Sequence, residues 1–445
     1  MPPMPSRAPR ALATVATVVV LASALGCSGE SAVEARTSSD SATATAAAEA
    51  SAGGTSDSAS NAAPDATLDA TRALATIEHL SVEIGPRPAG SEAERQAAEY
   101  IADQLTTAGY DASIEPFTFQ AAKDDSMVTL PDGSVVAALA MEGSANAEVS
   151  GTVVHAGLGR PEDLAGADLE GNVVVFDRGI VTFADKAQAA VAGGAIAVVV
   201  VNDEPGLFLG SLGDGAGSAI PVVAVSGDHA AAFEAAVGRR ITVSADAGME
   251  TITSQNVVGR IGGDCHAYLG AHYDSVPVSP GANDNASGVA VVLEVARTNP
   301  IRGLCVILFG AEELGLYGSQ NYVAEHLAGT ARFMLNIDMA GILDSPIIVG
   351  DRQLTQSILD GIKAAGVTSP LKPGRFPPYA SSDHVSFESV GVPSVTFNAG
   401  DDNARIHTAG DTFDRIEEST LTTFLDSVDA ALDALVEQHA DALAR

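Results

Sequence analysis

The sequence predicts an α/β protein: a three-layer sandwich with a mixed, largely parallel central sheet, into which a small β-rich domain is inserted. Two observations support this fold class. From Ser254 onward, short apolar runs typical of buried strands alternate with helical segments, which is the pattern of a parallel sheet covered by helices on both faces. Between residues 120 and 247, short apolar runs alternate instead with glycine-rich turns, as expected for a compact β domain.

Composition limits the classes of function. The chain has 445 residues, which is enough for two or three domains, and its 46% apolar and 18% charged residues are typical of a globular protein. Acidic residues outnumber basic residues by 57 to 23, which gives a formal charge of -34. Such a surface repels phosphate groups, so nucleic acids and anionic lipid surfaces are excluded as partners. No apolar run reaches the roughly 18 residues that indicate a membrane-spanning helix.

Residues 1–26 are similar to a signal peptide of the bacterial lipoprotein type. Arg7 and Arg10 precede an apolar run over residues 11–25, which has the length of a signal-peptide core and is too short to span a membrane. Small residues then precede Cys27, so we predict cleavage with lipid attachment at Cys27; ordinary cleavage nearby is the alternative. The protein is therefore expected to be exported, in the periplasm or on the cell surface, and to meet a membrane only through that lipid.

The remaining chain divides into a tether and three folded pieces. Residues 27–66 are rich in Ser, Ala and Thr and are expected to form a disordered tether. Residues 67–119 begin the main domain, residues 120–247 form the inserted domain, and residues 248–445 complete the main domain.

In the first piece of the main domain, Ser91 as N-cap and Glu94 as its capping-box partner predict a helix that ends at Gly109. A strand is predicted at 114–119. In the inserted domain, strands are predicted at 151–154, 172–176, 195–201 and 220–225, and a helix at 186–193. In the second piece, strands are predicted at 267–270, 304–309, 332–337 and 394–397, and helices at 285–297, 318–326, 354–364 and 416–439. Cys265 and Cys305 each begin a predicted strand, so they can form a disulfide if those strands are neighbours; two buried thiols are the alternative.

Histidines and carboxylates follow the predicted strands of the second piece. They lie in the segments 270–275, 281–288, 309–315, 336–341 and 406–412. Loops beyond the carboxyl ends of strands in an α/β sheet converge into one crevice. Because the acids would repel one another there without cations, and because imidazole with carboxylate is the ligand set of zinc in hydrolytic sites, the sequence predicts a zinc site.

The number of candidate ligands predicts two Zn²⁺ ions per chain. His272, Asp284 and Asp338 can hold one ion, and Asp284, Glu313 and His407 can hold the other, with Asp284 shared between them. Two such ions can activate a water molecule and neutralise the oxyanion that develops during hydrolysis.

Three further residues have predicted supporting roles. Glu312 directly precedes a predicted ligand, so its side chain should point elsewhere and be free to carry a proton from the water to the leaving amine. Asp274 can accept the second ring N–H of His272 and fix its tautomer. His384, beside Asp383, is expected to support the site without binding metal. The other histidines are expected to be structural or exposed: His79, His155, His229, His266, His326 and His439.

The five segments, in this order, resemble the exported bacterial di-zinc aminopeptidases. These leucyl aminopeptidase-like metallopeptidases have the zinc-peptidase fold, and their family also contains glutaminyl cyclases and some carboxypeptidases. The resemblance covers residues 67–439 and implies the same five metal ligands, Glu312 as general acid/base, and a cis peptide between Asp284 and Asn285.

Smaller segments extend the resemblance. Residues 381–384 and 391–393 match further segments of the family near the substrate. Some members place an oxyanion-donating Tyr before the last His, where this chain has Ile406, and Tyr379 is the candidate donor here. The inserted domain resembles the protease-associated domain. The resemblance lies in residues 171–179, the predicted helix that follows them, and the apolar run at residues 193–200.

The predicted function is removal of N-terminal residues from peptide substrates. Same-fold alternatives are a glutaminyl cyclase-like transferase and a carboxypeptidase, and a different class is a non-catalytic surface-binding lipoprotein. The cyclases usually carry Trp near the substrate, and this chain contains none. The sequence predicts no oligomeric state.

Overall fold

The computed structural model describes residues 67–213, 217–327, 331–377, 380–400 and 405–444. The predicted signal peptide, the tether and Cys27 lie outside the described residues, as does Tyr379. Within those ranges, no helix combines the length and the apolar character needed to cross a membrane.

The strands are, in chain order, β1 (Asp111–Asp124), β2 (Met127–Thr129), β3 (Val135–Ala140), β4 (Ala147–His155), β5 (Val173–Asp177), β6 (Ala197–Val201), β7 (Val222–Val225), β8 (Arg240–Ala245), β9 (Ala247–Arg260), β10 (Ala267–His272), β11 (Leu304–Phe309), β12 (Met334–Ile337), β13 (Ile347–Gly350), β14 (Lys372–Pro373) and β15 (Ser394–Asn398). The helices are α1 (Ala70–Glu78), α2 (Glu92–Thr107), α3 (Pro161–Leu164), α4 (Phe183–Ala192), α5 (Ala230–Ala235), α6 (Gly288–Thr298), α7 (Tyr317–His326), α8 (Arg352–Ala364), α9 (His384–Glu388) and α10 (Glu418–Gln438).

The main domain is built on a mixed sheet with the order β1-β9-β11-β10-β12-β15-β13-β14. Its centre is parallel, because β10 pairs with both β11 and β12, and β12 pairs with β15. Antiparallel pairs flank this centre on both sides. The predicted fold class, an α/β sandwich with a largely parallel central sheet, is therefore confirmed.

Alternate residues of the central strands face different helix layers, as the period of two in a strand requires. On β10, Leu269 and Ala271 belong to the core under α1, α6, α8 and α10. Tyr268 lies in the opposite core, where it packs with Tyr322 of α7 and Phe387 of α9. Because β10 is buried on both faces, it is apolar at nearly every position, which is the signal that identified it in the sequence.

The inserted domain is a closed barrel with the strand order β2-β3-β7-β6-β5-β4-β8. Val173, Val175 and Val199 point into the barrel, while Val174 and Phe176 pack under α4. Two long strands connect the barrel to the main domain: β1 and β9 pair without interruption from Asp111↔Arg260 to Asp124↔Ala247. The predicted strand at 114–119 is the middle of this ribbon.

Three local differences from the sequence prediction have physical causes. The capping box of α2 forms in part: Ser91 Oγ accepts the N–H of Glu94 at 3.1 Å, but Glu94 Oε2 accepts the N–H of Gly90 at 2.7 Å. The helix predicted at 285–297 begins at Gly288, because Asp284 and Asn285 have non-helical backbone angles and are joined by a cis peptide. The short elements β13, β14 and α9 were not predicted, since they contain too few residues to show a period.

Cys265 and Cys305 form a disulfide with a Cα–Cα distance of 5.4 Å. The pairing is possible because β10 and β11 are parallel neighbours in which Tyr268 lies opposite Cys305. Of the two alternatives left open by the sequence, the structure contains the disulfide.

Candidate metal centre

The candidate ligands meet at the carboxyl edge of the parallel strands. His272 is the last residue of β10, Glu312 and Glu313 follow β11, and Asp338 follows β12. Asp284 lies in the turn that precedes α6. His407 reaches the same crevice from the loop between β15 and α10. The topology therefore brings together every residue that the sequence predicted as a ligand.

Asp284 lies between the two histidines. Its Oδ1 is 3.3 Å from His272 Nε2, and its Oδ2 is 3.2 Å from His407 Nε2. His272 Nε2 is also 3.6 Å from Asp338 Oδ1, and His407 Nε2 is 3.0 Å from Glu313 Oε2. Each carboxylate oxygen of Asp284 thus faces one histidine–carboxylate pair, which is the arrangement that a shared ligand between two cations requires.

Glu312 and Glu313 diverge into different halves of the crevice. Glu312, His272 and Asp338 offer ligand atoms within 4.8 Å of one another, and Asp284, Glu313 and His407 form a second such group. The side chain of Glu312 thus points away from that of Glu313, as expected. Its carboxylate nevertheless lies at the candidate metal centre, in the group of His272 and Asp338.

Asp274 supports two parts of the site. Its Oδ1 lies 3.5 Å from His272 Nδ1, on the side predicted from the sequence. The two oxygens also accept the backbone N–H groups of Glu312 at 3.1 Å and Glu313 at 3.3 Å. The carboxylate of Asp274 therefore anchors the acidic loop and lies beside the histidine, and the spacing of the sequence did not reveal the contact with the loop.

Burial and close contacts among the candidate ligands shift the pKa values of several of them. Hydrogen bonds that His407 donates to Asp284 and Glu313 raise the pKa of its ring to about 11. Burial disfavours the charged form of His272, yet the surrounding carboxylates, Glu312 first, raise its pKa well above the ordinary value. Burial and the charge of Asp284 raise the pKa of Glu313 to about 7.

These residues fit a pair of zinc ions. They supply imidazole nitrogen and carboxylate oxygen, the donors that zinc takes in hydrolytic sites. Glu313 Oε1 is buried without a hydrogen-bond partner among the described residues, although a buried polar atom normally has one. A cation between Glu313 and Asp284 would supply that partner and offset the repulsion between the two carboxylates.

Several buried residues that the sequence did not single out hold the site in place. Asp411 accepts the backbone N–H of Asn283 at 2.8 Å and of Asp284 at 3.0 Å. Asn285 Oδ1 accepts the N–H groups of Gly288 and Met339, each at 3.0 Å. The signal for Asp411 was its place in the 406–412 segment, four residues after His407.

Arg87 is fully buried behind the same loops. Its guanidinium donates to the carbonyl groups of Tyr273 at 2.8 Å, Pro280 at 2.7 Å and Gly281 at 3.0 Å. Two further carbonyls, those of Leu80 and Gly85, complete its partners. Arg87 lies in a Gly-Pro-Arg-Pro segment at residues 85–88, for which the sequence predicts no role in the site.

His384 and Asp383 lie beside the metal centre. His384 Nδ1 is 2.6 Å from Thr396 Oγ1, and burial lowers the pKa of His384 to about 4. Burial raises the pKa of Asp383 to about 7. His384 is absent from both candidate metal groups among the described residues, in agreement with its predicted supporting position.

Strained backbone marks the site. The non-glycine residues with positive φ among the described residues are Ala311, Leu316, Met339 and His407. Ala311 directly precedes Glu312, and Met339 directly follows Asp338. Such conformations cost about 1–3 kcal/mol each and persist where the surrounding contacts impose them, most often at functional sites.

An α/β sandwich with paired histidine–carboxylate groups at the strand ends, and a barrel inserted ahead of them, defines a class of metallopeptidase. Residues 256–432 match the model of peptidase family M28, and residues 133–233 match the PA domain. The chain is 32% identical over 400 residues to Aminopeptidase YwaD of Bacillus subtilis (strain 168), which covers 83% of this chain and 86% of that protein. The chain therefore belongs to peptidase family M28.

Two further comparisons agree with this membership. A solved zinc aminopeptidase from Bacillus subtilis has a TM-score of 0.61 at 29% identity, covering 84% of this chain and 96% of that chain. Probable lipoprotein aminopeptidase LpqL of Mycobacterium tuberculosis is 33% identical over 280 residues, or 57% of this chain and 55% of that protein. The predicted resemblance and the predicted enzyme class, a zinc-dependent aminopeptidase, are confirmed.

Proposed function

We propose that the protein is an exported aminopeptidase that uses two zinc ions to hydrolyse the first peptide bond of its substrates. The observation that carries this proposal is the position of Asp284, whose two carboxylate oxygens face His272 at 3.3 Å and His407 at 3.2 Å. A site for one ion would not need a carboxylate placed between two separate ligand groups.

Each residue has a distinct role in this proposal. His272, Asp284 and Asp338 would hold one ion, and Asp284, Glu313 and His407 the other. The ions would lower the pKa of a water molecule and polarise the scissile carbonyl when bound. Asp274 holds the acidic loop through its two backbone hydrogen bonds, and it lies 3.5 Å from His272 Nδ1, where it would set the tautomer of that ring.

Glu312 is the proposed general acid/base. It lies within reach of the first ligand group and its pKa is raised well above the ordinary value, first by burial. A carboxylate with a raised pKa accepts a proton readily near neutral pH. Glu312 can therefore take the proton of the attacking water and pass it to the amine that leaves.

The acidic crevice also suits a free N-terminus. The α-amino group of a peptide is cationic at neutral pH, and Glu312 and Asp338 present carboxylates to it on the side of His272. An internal peptide bond offers no such charge, so binding through these acids favours attack at chain ends. This charge preference supports an aminopeptidase over a carboxypeptidase, whose substrate would bring a second carboxylate into the crevice.

The test compares Glu312→Gln with Glu325→Gln, an exposed acid on α7. We expect Glu312→Gln to lose about 10²–10⁴-fold in kcat on aminoacyl p-nitroanilides, while elemental analysis still finds two zinc ions per chain. Glu325→Gln should behave as the wild type. Activity retained in Glu312→Gln would reject its role, and one zinc per chain would reject the paired site.

Product analysis of the wild type separates the alternatives. Incubation with a Gln-initiated peptide should release free Gln, whereas a cyclised N-terminus would indicate the transferase. Loss of residues from the carboxyl end would indicate a carboxypeptidase. Zinc-free protein that binds peptides without cleaving them would indicate a surface-binding lipoprotein.

Export and lipid attachment are supported by the relative described as a probable lipoprotein aminopeptidase and by the placement of Cys27 after an apolar run. Cell fractionation tests this part. Wild-type protein should stay with membranes, and Cys27→Ser should appear in the soluble exported fraction. Identical distribution of the two proteins would show that Cys27 carries no anchor.

A further inference from the structure

The loop that carries Glu312 and Glu313 is closed at its base by a backbone hydrogen bond from the N–H of Tyr317 to the carbonyl of Ala311 at 3.0 Å and by one buried side chain. Asn256 lies on β9 with 1% of its surface exposed. Its Nδ2 donates to the carbonyl of Gly318 at 2.9 Å, and its Oδ1 accepts the N–H of Gly310 at 3.3 Å. Gly310 follows β11 and Gly318 lies in the first turn of α7, so this amide group links the two elements that the loop connects.

The glycines allow the loop ends to approach β9 closely. A Cβ atom on Gly310 would lie 2.5 Å from Ser254 Oγ, and a Cβ atom on Gly318 would lie 2.6 Å from Asn256 Oδ1. Real Cβ atoms do not approach other atoms this closely. The backbone at both ends of the loop is therefore pressed against the strand that carries Asn256.

The loop itself has a conformation that needs such support. Ala311 and Leu316 have φ angles of 54° and 63°, in the left-handed region that non-glycine residues disfavour. Inside the loop, the N–H groups of Gly315 and Leu316 both donate to the carbonyl of Glu312 at 2.8 Å. These short-range bonds tighten the turn, but they do not attach it to the sheet.

Attachment comes from two sides. Asp274 accepts the N–H groups of the two glutamates at the front of the loop, and Asn256 joins its ends at the back. An amide side chain meets the second requirement, because it supplies a donor and an acceptor from one rigid group.

We propose that Asn256 is a positioning residue that fixes the orientation of Glu312 and Glu313, and this inference rests on the proposed function of those two acids. Asn256 belongs to neither of the two candidate metal groups. It acts by holding closed the strained loop that presents the general acid/base on one side and a ligand on the other.

The test uses Asn256→Ala and a matched control, Asn299→Ala. Asn299 is also a buried asparagine of the main domain, and its Nδ2 donates to Asp429 Oδ1 at 2.6 Å at the end of α6, away from the strand ends. Both variants lose buried hydrogen bonds, so both should unfold at lower urea concentration than the wild type. Only Asn256→Ala should alter the loop.

The first measurement is hydrogen–deuterium exchange on the metal-free proteins. Peptides that cover residues 310–318 should exchange at least about 10-fold faster in Asn256→Ala, with other peptides of the main domain little changed. This result does not depend on zinc or on activity, so it separates failure of the positioning role from failure of the proposed function. Unchanged exchange in this segment would overturn the inference.

The second measurement is made on the zinc-loaded proteins. Loss of a residue that orients ligands typically weakens metal binding or activity by about 10–100-fold, so Asn256→Ala should lose that much in zinc affinity at one of the two sites. Its kcat should fall by a similar factor with KM within about threefold. Equal losses in Asn299→Ala would show a general effect of destabilisation and would also overturn the inference.

If Asn256→Ala does not fold, Asn256→Asp replaces it. This variant keeps the shape and the acceptor of the side chain but lacks the donor to Gly318, so the exchange of residues 310–318 should still increase. Protection equal to that of the wild type in Asn256→Asp would contradict the proposal.

Discussion

At the scale of single residues, the site depends on groups whose charge is set by burial and close neighbours. Hydrogen bonds to Asp284 and Glu313 are the first cause of the raised pKa of His407, whereas burial is the first influence on the pKa values of Asp284, Glu313 and Glu312. His384 differs from them, because burial keeps its ring neutral beside Thr396. Of the histidines at this edge of the sheet, His272 and His407 belong to the candidate metal groups, whereas His384 has a structural position beside Thr396.

The neutral ring of His384 predicts a dependence of stability on pH. Its folded pKa of about 4 lies below the ordinary value of 6.5. Above pH 6.5 both states are neutral, and between these two pH values only the unfolded state binds the proton. The free energy of unfolding should therefore fall as the pH is lowered through this window, by roughly 2–3 kcal/mol from this group.

Urea unfolding of wild type and His384→Gln at pH 7.5 and pH 5 measures that contribution. The loss of stability between the two pH values should be smaller in His384→Gln, and the exposed His155→Gln should lose as much as the wild type. An equal loss in all three proteins would mean that the unfolded and folded pKa values of His384 coincide.

At the scale of elements, the turn before α6 is the most tightly constrained part of the site. Asp411 binds its backbone, Asn285 bonds to Gly288 and Met339, and Asn283 Oδ1 accepts the N–H of Gly341 at 2.9 Å. The first residue of the helix is a glycine with an ordinary helical φ of -64°. Space, rather than backbone conformation, therefore requires glycine at this position.

Gly288→Ala tests the space around this helix start. A Cβ atom there would overlap Asn285 Oδ1 and the carbonyl oxygen of Ile337, so Asn285 and the adjoining Asp284 must move. We expect a loss of about 1–3 kcal/mol in the free energy of unfolding, and a loss of at least about 10-fold in kcat/KM. Gly248→Ala is the control, because nothing lies within 4 Å of its added Cβ atom. Normal kcat/KM in Gly288→Ala would contradict this reading of the turn.

The elements also explain how far the sequence could predict the structure. The central strands β10, β11 and β12 were recognisable because burial on both faces makes them apolar at nearly every position. The ligands were recognisable because each follows one of these strands or lies in a segment similar to the family. Asn256 and Arg87 were not recognisable, since their hydrogen-bond partners are mainly backbone groups distant in sequence, and no local spacing encodes such contacts.

At the scale of the whole molecule, the chain carries a large excess of negative charge, and part of it lies in the crevice where cations are expected. The formal charge of the chain is -34, and the crevice gathers carboxylates from four separate segments. Folding without metal must bring these groups together against their mutual repulsion. Ligands that bind only the folded state therefore stabilise the entire domain.

Removal of zinc should lower the thermal stability of the protein. Stabilisation by a bound ligand reaches about 4 kcal/mol when its free concentration is 1,000 times its Kd. We expect chelation to lower the unfolding midpoint by several degrees, zinc to restore it, and magnesium to leave it low because it prefers all-oxygen sites. Scanning calorimetry with each ion measures this difference, and an unchanged midpoint after complete demetallation would contradict the expectation.

The ribbon formed by β1 and β9 has an evolutionary consequence. The chain leaves the main domain and returns to it through adjacent, hydrogen-bonded positions, since Asp124 lies opposite Ala247. An ancestral hairpin tip at this point could accept an entire foreign module without rerouting any other connection. Gain or loss of the barrel among relatives then requires only one genetic event, and the strand that bears Asn256 survives either outcome.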